Sequence, residues 1–81
     1  MTYEHIKTQL IQAIATEMGL APDEIQETDT FFNLGIDSVS CIFVMERLEN
    51  TLKLELNAIY FWDYPDIKSF SEFLTTLPAN P

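Results

Sequence analysis

The chain has 81 residues, and its 13 Asp and Glu against 4 Lys and Arg give a formal net charge of -9. Phosphate backbones and anionic head groups are repelled by such a surface, so nucleic acid and membranes are poor partners, whereas basic protein patches are drawn to it. Hydrophobic residues make up 47%, enough for one small core but not for a catalytic cleft between layers, which weighs against an elaborate enzyme.

Ile6, Leu10, Ile11, Ile14 and Met18 recur at helical spacing, with Thr2 available as a cap and Gly19 as a stop, so the pattern predicts an amphipathic helix over 3–18. Residues 19–37 carry the turn formers Gly19, Pro22, Asp29 and Asn33 and read as a long loop. Leu20, Ile25, Phe31, Phe32 and Leu34 are expected to pin it to the core. Loops of this length inside a small domain are often functional. This one holds Asp23, Glu24, Glu27, Asp29 and Asp37 without a single Lys or Arg.

A second helix is expected over 38–53, a short one over 57–62 with Asn57 as its cap, and a last one over 66–75 after the stop at Asp63-Tyr64-Pro65. The chain ends in Pro78-Ala79-Asn80-Pro81. No alternating strand pattern, repeat or linker interrupts this order. The expected fold is all-α, one domain over 1–81 built as a bundle of three main helices plus a short one.

At 100° per residue, the second helix places Cys41, Val44, Met45, Leu48 and Leu52 on one stripe, the core face. Val39 and Phe43 fall on the opposite side among Glu46, Arg47 and Asn50, with Ile42 at the border. Apolar side chains ringed by carboxylates have the form of a docking patch. Ser38 stands at the entrance of the same helix, beside this patch. A serine there either satisfies an orphan N–H as a cap or offers its hydroxyl to a phosphate, which the unpaired N–H groups and positive helix end favour.

Cys41 is the only cysteine and His5 the only histidine, so neither a disulfide nor a structural zinc site is expected, and no metal ligands are assigned. Cys41 reads as a packing residue and His5 as a solvated one. The start Met1-Thr2-Tyr3-Glu4-His5 lacks a leader pattern, and no apolar run reaches the roughly 18 residues of a membrane span. A cytoplasmic location is expected.

The run Phe32-Asn33-Leu34-Gly35-Ile36-Asp37-Ser38-Val39-Ser40 resembles the attachment motif of acyl carrier proteins: an apolar residue, Leu-Gly, a variable position, Asp-Ser, then an apolar residue. The order of helices and acidic loop extends the likeness over nearly the whole chain. Ala58-Ile59-Tyr60-Phe61-Trp62-Asp63-Tyr64-Pro65 is similar to the segment that closes polyketide-synthase carrier domains. Asp37 stands where peptidyl carriers usually have His. Ser40 and Phe43 replace carboxylates common in fatty-acid carriers, which argues against a housekeeping role.

The resemblance implies that Ser38 is modified by 4'-phosphopantetheine from coenzyme A, through a phosphopantetheinyl transferase, and that acyl groups ride as thioesters on the arm. Cargo would be held weakly between the second and third helices. Gly35 would let the backbone turn and leave room for partners. Asp37 would share two roles, capping the helix and helping the transferase position its metal ion. Val39, Phe43 and Glu46 are expected to contact partners, with Ile42, Glu49 and Asp29 as lesser candidates.

Trp62 and Tyr64 are expected to close the bundle against the first loop, with an aromatic contact to the carried chain as the other reading. Expected partners are an acyltransferase, a ketosynthase or an enzyme like hydroxymethylglutaryl synthase. The protein would be a monomeric, discrete donor carrier for a condensing or β-branching step, with no catalytic residue of its own. Two rivals remain: an acidic interaction module, inhibitor or decoy, whose Ser38 is only a helix cap, and a serine hydrolase, which lacks a G-x-S-x-G elbow and has only His5 as a base.

Overall fold

A computed structural model describes residues 1–77. Four α-helices follow one another: α1 (Tyr3–Met18), α2 (Ser38–Leu52), α3 (Ile59–Asp63) and α4 (Ile67–Leu74). A 3-10 turn over Pro22–Glu24 breaks the loop between α1 and α2. Strands are absent among the described residues; an isolated bridge pairs Thr30 with Asp66. The all-α bundle matches the pattern read from the sequence, and Pro78 to Pro81 lie outside the described residues.

Helix ends follow the caps. Thr2 accepts from the His5 N–H, and Gly19 ends α1 in the left-handed region at φ 70°. The second helix stops one residue before the expected boundary because Lys53 adopts φ 58° as its C-cap. Asn57 is not the cap of α3: Ala58 holds that position without a side-chain cap bond, and Asn57, one residue earlier, accepts from the Ile59 N–H at 3.0 Å. Asp66 stays outside α4 as its cap, accepting from the Ser69 N–H.

The helix α1 packs against α2 and α4. Ile6, Leu10, Ile14, Leu48, Phe70 and Leu74 are fully buried, and the whole predicted stripe of α2, from Cys41 to Leu52, is buried with them. Phe31, Phe61 and Phe70 form an aromatic cluster: Phe31 meets Phe61 and Phe70 edge-on at 4.4 and 5.5 Å, and Phe61 stacks on Phe70 at 4.7 Å.

The loop is held as much by its backbone as by its side chains. Phe31 N–H donates to the Pro65 carbonyl at 2.9 Å, while the Ile67 and Lys68 N–H groups donate to the Asp29 and Glu27 carbonyls at 3.1 and 3.0 Å. Loop carbonyls thereby satisfy orphan donors at the start of α4. Lys7 on α1 adds an ion pair to Glu27 at 2.8 Å.

Two aromatic expectations need correction. Phe32 does not pin the loop: the tight turns from Thr30 to Gly35 commit Phe31 to the core and turn its neighbour out, 87% exposed. Trp62 does not close the bundle and is 66% exposed, because its neighbour Phe61 takes the core position on the short α3. Tyr64 packs on α4, its ring stacked on Phe73 at 4.2 Å.

Candidate functional site

The local sequence explains the geometry at the start of α2. Gly35 takes φ 84°, a conformation costly for side-chain-bearing residues, and so lets the chain reverse from the Thr30–Leu34 turns into the helix. Ile36, next in sequence, is buried and anchors the approach. Asp37 then caps: its Oδ1 accepts from the Val39 and Ser40 N–H groups at 3.0 and 2.8 Å. Ser40 completes a capping box, its Oγ accepting from the Asp37 N–H at 2.9 Å. These donors hold the Asp37 carboxyl below the usual carboxylate range, the Ser40 backbone N–H contributing most.

The consequence falls on Ser38. Capping is done by Asp37, so the reading of Ser38 as only a helix cap is corrected: it occupies the first helical position, its side chain exposed. Its Oγ stands at the positive end of a 15-residue helix. A phosphodiester at that oxygen would meet the helix dipole without displacing a structural hydrogen bond, so the residues present fit such a group.

A groove of about 490 Å³ opens beside Ser38, between the loop, the start of α2 and α3. Phe31 and Phe61 line its inner part, Phe32 and Trp62 border it where they remain exposed, and Cys41 contributes from α2. Burial raises the Cys41 thiol pKa, as for a packing residue rather than a reactive one. The lining is largely apolar, and Asp37 is the one ionisable carboxylate along it.

Outward from Ser38, Val39, Ile42 and Phe43 are 60%, 57% and 48% exposed on α2, with Glu46 exposed among them. Of the three lesser candidates, the two acids have internal duties: Glu49 accepts from the Leu56 N–H and Asp29 from the Gln26 N–H, at 2.9 and 2.8 Å. Both are part-buried. Ile59 and Trp62 on α3 extend the exposed apolar surface, and sequence reasoning had not singled out Ile59. The signal was present, since a five-residue helix has only one side to bury.

Residues 8–74 match the family described as the phosphopantetheine attachment site. A conidial pigment polyketide synthase of Aspergillus fumigatus is 32% identical over 69 residues, 85% of this chain and 3% of that protein. The chain thus spans a small fraction of the curated relatives it matches. Among solved structures, a free-standing peptidyl carrier protein from an uncharacterised secondary metabolic pathway of Acinetobacter baumannii aligns with a TM-score of 0.83 and 31% identity, covering 91% of this chain and 92% of its own. The HMG-ACPI domain of the CurA module from Lyngbya majuscula aligns with a TM-score of 0.81 and 29% identity, covering 90% and 74%. The chain belongs to the phosphopantetheine attachment-site family, carrier domains that are not themselves catalytic and whose cofactor is 4'-phosphopantetheine.

Proposed function

We propose that Ser38 is the attachment residue, and that the 1–81 chain acts as one carrier domain presenting thioester-bound acyl groups to enzymes of polyketide assembly. The observation that carries this reading is the division of labour at α2: Asp37 caps the helix, and Ser38 is left exposed at its positive end. During modification the Ser38 oxygen gives up its proton and bonds to phosphorus, while the pyrophosphate bond of coenzyme A breaks and adenosine 3',5'-bisphosphate leaves. Asp37 stands next to the reacting oxygen, where its carboxylate helps a phosphopantetheinyl transferase hold the metal ion bound to coenzyme A. The bound arm supplies a thiol for thioester exchange, and the protein supplies its position and its recognition.

Val39, Ile42, Phe43 and Glu46 form the docking surface for the transferase and for acyltransferase or ketosynthase partners, an apolar centre with an acidic rim. Glu49 and Asp29 act at its margin. Charge-steered contacts of small area release quickly, as a shuttling carrier requires. The likeness to a free-standing carrier and to the HMG-ACPI domain supports a discrete donor serving a condensing or β-branching enzyme. In a soluble compartment such as the cytoplasm the protein works as a monomer; no helix among the described residues is long and apolar enough to cross a membrane.

Incubation with coenzyme A and a transferase, followed by intact and peptide mass spectrometry, tests the attachment. One adduct of roughly 340 Da on the peptide containing Ser38 is expected. No adduct on the folded protein, or an adduct elsewhere, removes the assignment. Failure of the loaded protein to serve a hydroxymethylglutaryl-synthase-like enzyme, while serving ordinary ketosynthases, removes the β-branching role alone.

A further inference from the structure

Two pairs of adjacent aromatics, Phe31-Phe32 in the loop and Phe61-Trp62 on α3, contribute to one groove in the same way. The first of each pair is buried and packed edge-on against the other at 4.4 Å; the second is exposed and borders the opening. Phe32 and Trp62 are the two most exposed large hydrophobic side chains among the described residues, and neither serves the core. Buried aromatic faces behind and free ones at the opening are complementary to a flat π-system, which stacks or meets ring edges at a gain beyond simple burial.

The rest of the groove says what it would refuse. Apart from Thr30, Asp37, Ser38 and the single indole N–H of Trp62, its lining offers only apolar or weakly polar side chains, and Asp37 already accepts from helix N–H groups. A carboxylated cargo would meet a largely apolar wall on a protein of net charge -9, and a chain of several free ketones would lose water for at most two neutral donors, the Thr30 hydroxyl and the Trp62 indole N–H. A closed aromatic ring has most of its surface apolar and needs few partners inside.

Resting on the attachment of the arm at Ser38, we infer that the groove receives an aromatic cargo, with Phe32 and Trp62 as the residues that select it over aliphatic and anionic cargo of similar size. Ser38 lines the same groove, so a cargo tethered there reaches it when the flexible arm folds back. The volume of about 490 Å³ admits a fused bicyclic ring. Trp62 is the only tryptophan in the chain and gives a single indole signal to follow.

The test loads the full chain with pantetheine arms bearing 2-naphthoyl, its saturated decahydro counterpart, or malonyl, and mass spectrometry first verifies loading at Ser38. Two-dimensional NMR then follows the Trp62 indole N–H and contacts between cargo protons and the Phe32 and Trp62 rings. The naphthoyl form is expected to shift the indole signal and give both ring contacts, with a docked population about two- to tenfold above that of the saturated ring. Malonyl is expected to leave the spectrum of the unacylated arm unchanged. Phe32→Ala and Trp62→Ala should each lower naphthoyl docking, and Trp62→Phe should keep most of it.

Equal docking of the aromatic and saturated rings overturns the selection. So does a naphthoyl spectrum that matches the unacylated form, or alanine variants that keep docking while losing transfer to partner enzymes, which would make these rings partner contacts. Absence of any adduct at Ser38 is seen at the mass-spectrometry step and removes the attachment reading, and this one with it.

Discussion

Ile6, Leu10 and Ile14 on α1 are sealed from water against α2 and α4, whereas Phe32, Val39, Ile42, Phe43, Ile59 and Trp62, on the loop, α2 and α3, remain exposed. The two regions draw on the same kinds of side chain. Each large apolar group left in water forgoes about 1.5–3 kcal/mol of burial, a substantial sum for so small a domain. The α1 side uses hydrophobicity to hold the fold together; the Ser38 side leaves it exposed, where the proposed docking and cargo contacts would use it. Helix α2 belongs to both regions, buried along one stripe from Cys41 to Leu52 and open along the other.

Substitutions on the two sides should therefore separate stability from function. The largest effect is expected from Ser38→Ala, which abolishes modification outright while the melting temperature stays within about 2 °C of the parent, because the hydroxyl caps nothing; intact mass and thermal melts check this together. Phe70→Ala, on the sealed side, empties the centre of the aromatic cluster and should cost about 3–5 kcal/mol, read from urea unfolding. A loss as small as that of a surface substitution would erase the distinction between the regions.

Next come Phe43→Ala and Glu46→Lys, expected to leave stability within about 0.5 kcal/mol of the parent and to slow transfer to cognate partners roughly tenfold. The Glu46→Lys effect should shrink as salt rises. Kinetic assays that find every transfer intact would dissolve the docking surface.

Asp37 sharpens the comparison because it caps α2 and is also proposed to assist modification. Asp37→Ala should lower the melting temperature at neutral pH by about 4–8 °C, as loss of a helix cap does, and also slow modification of the folded protein. Its carboxyl is depressed in the folded state by the N–H groups it accepts from. The stabilisation is therefore complete above the unfolded carboxylate value and disappears as pH falls through the lower folded value. The gap between parent and variant should be complete at neutral pH and narrow only as pH falls below the ordinary carboxylate range of about 4, and a gap that stays the same on further acidification would mean that the carboxylate charge contributes nothing.

The helices were legible because each obeys a local rule. The 3.6-residue spacing of Ile6, Leu10 and Ile14, the αL glycine at 19 and the cap at Thr2 act within one or two turns of chain. The Leu34-Gly35 and Asp37-Ser38 pattern likewise marked the site, since its turn and capping chemistry are encoded by neighbours. What neighbours do not encode is which of two adjacent aromatics faces inward. Phe31 and Phe32, like Phe61 and Trp62, have similar apolar content, and a loop or a single helical turn offers no periodicity to rank them.

Tertiary packing decided that ranking. Phe31 was drawn in by Phe61 and Phe70 and by its N–H bond to the Pro65 carbonyl, contacts made across about 30–40 positions of chain. The sequence by itself determined the helices, their caps and an exposed serine at the start of α2, because short-range sterics and hydrogen bonds suffice for these. Only the folded structure could leave Phe32 and Trp62 outside and open a groove between loop and helix, because that depends on which distant side chains reach the core first and fill it.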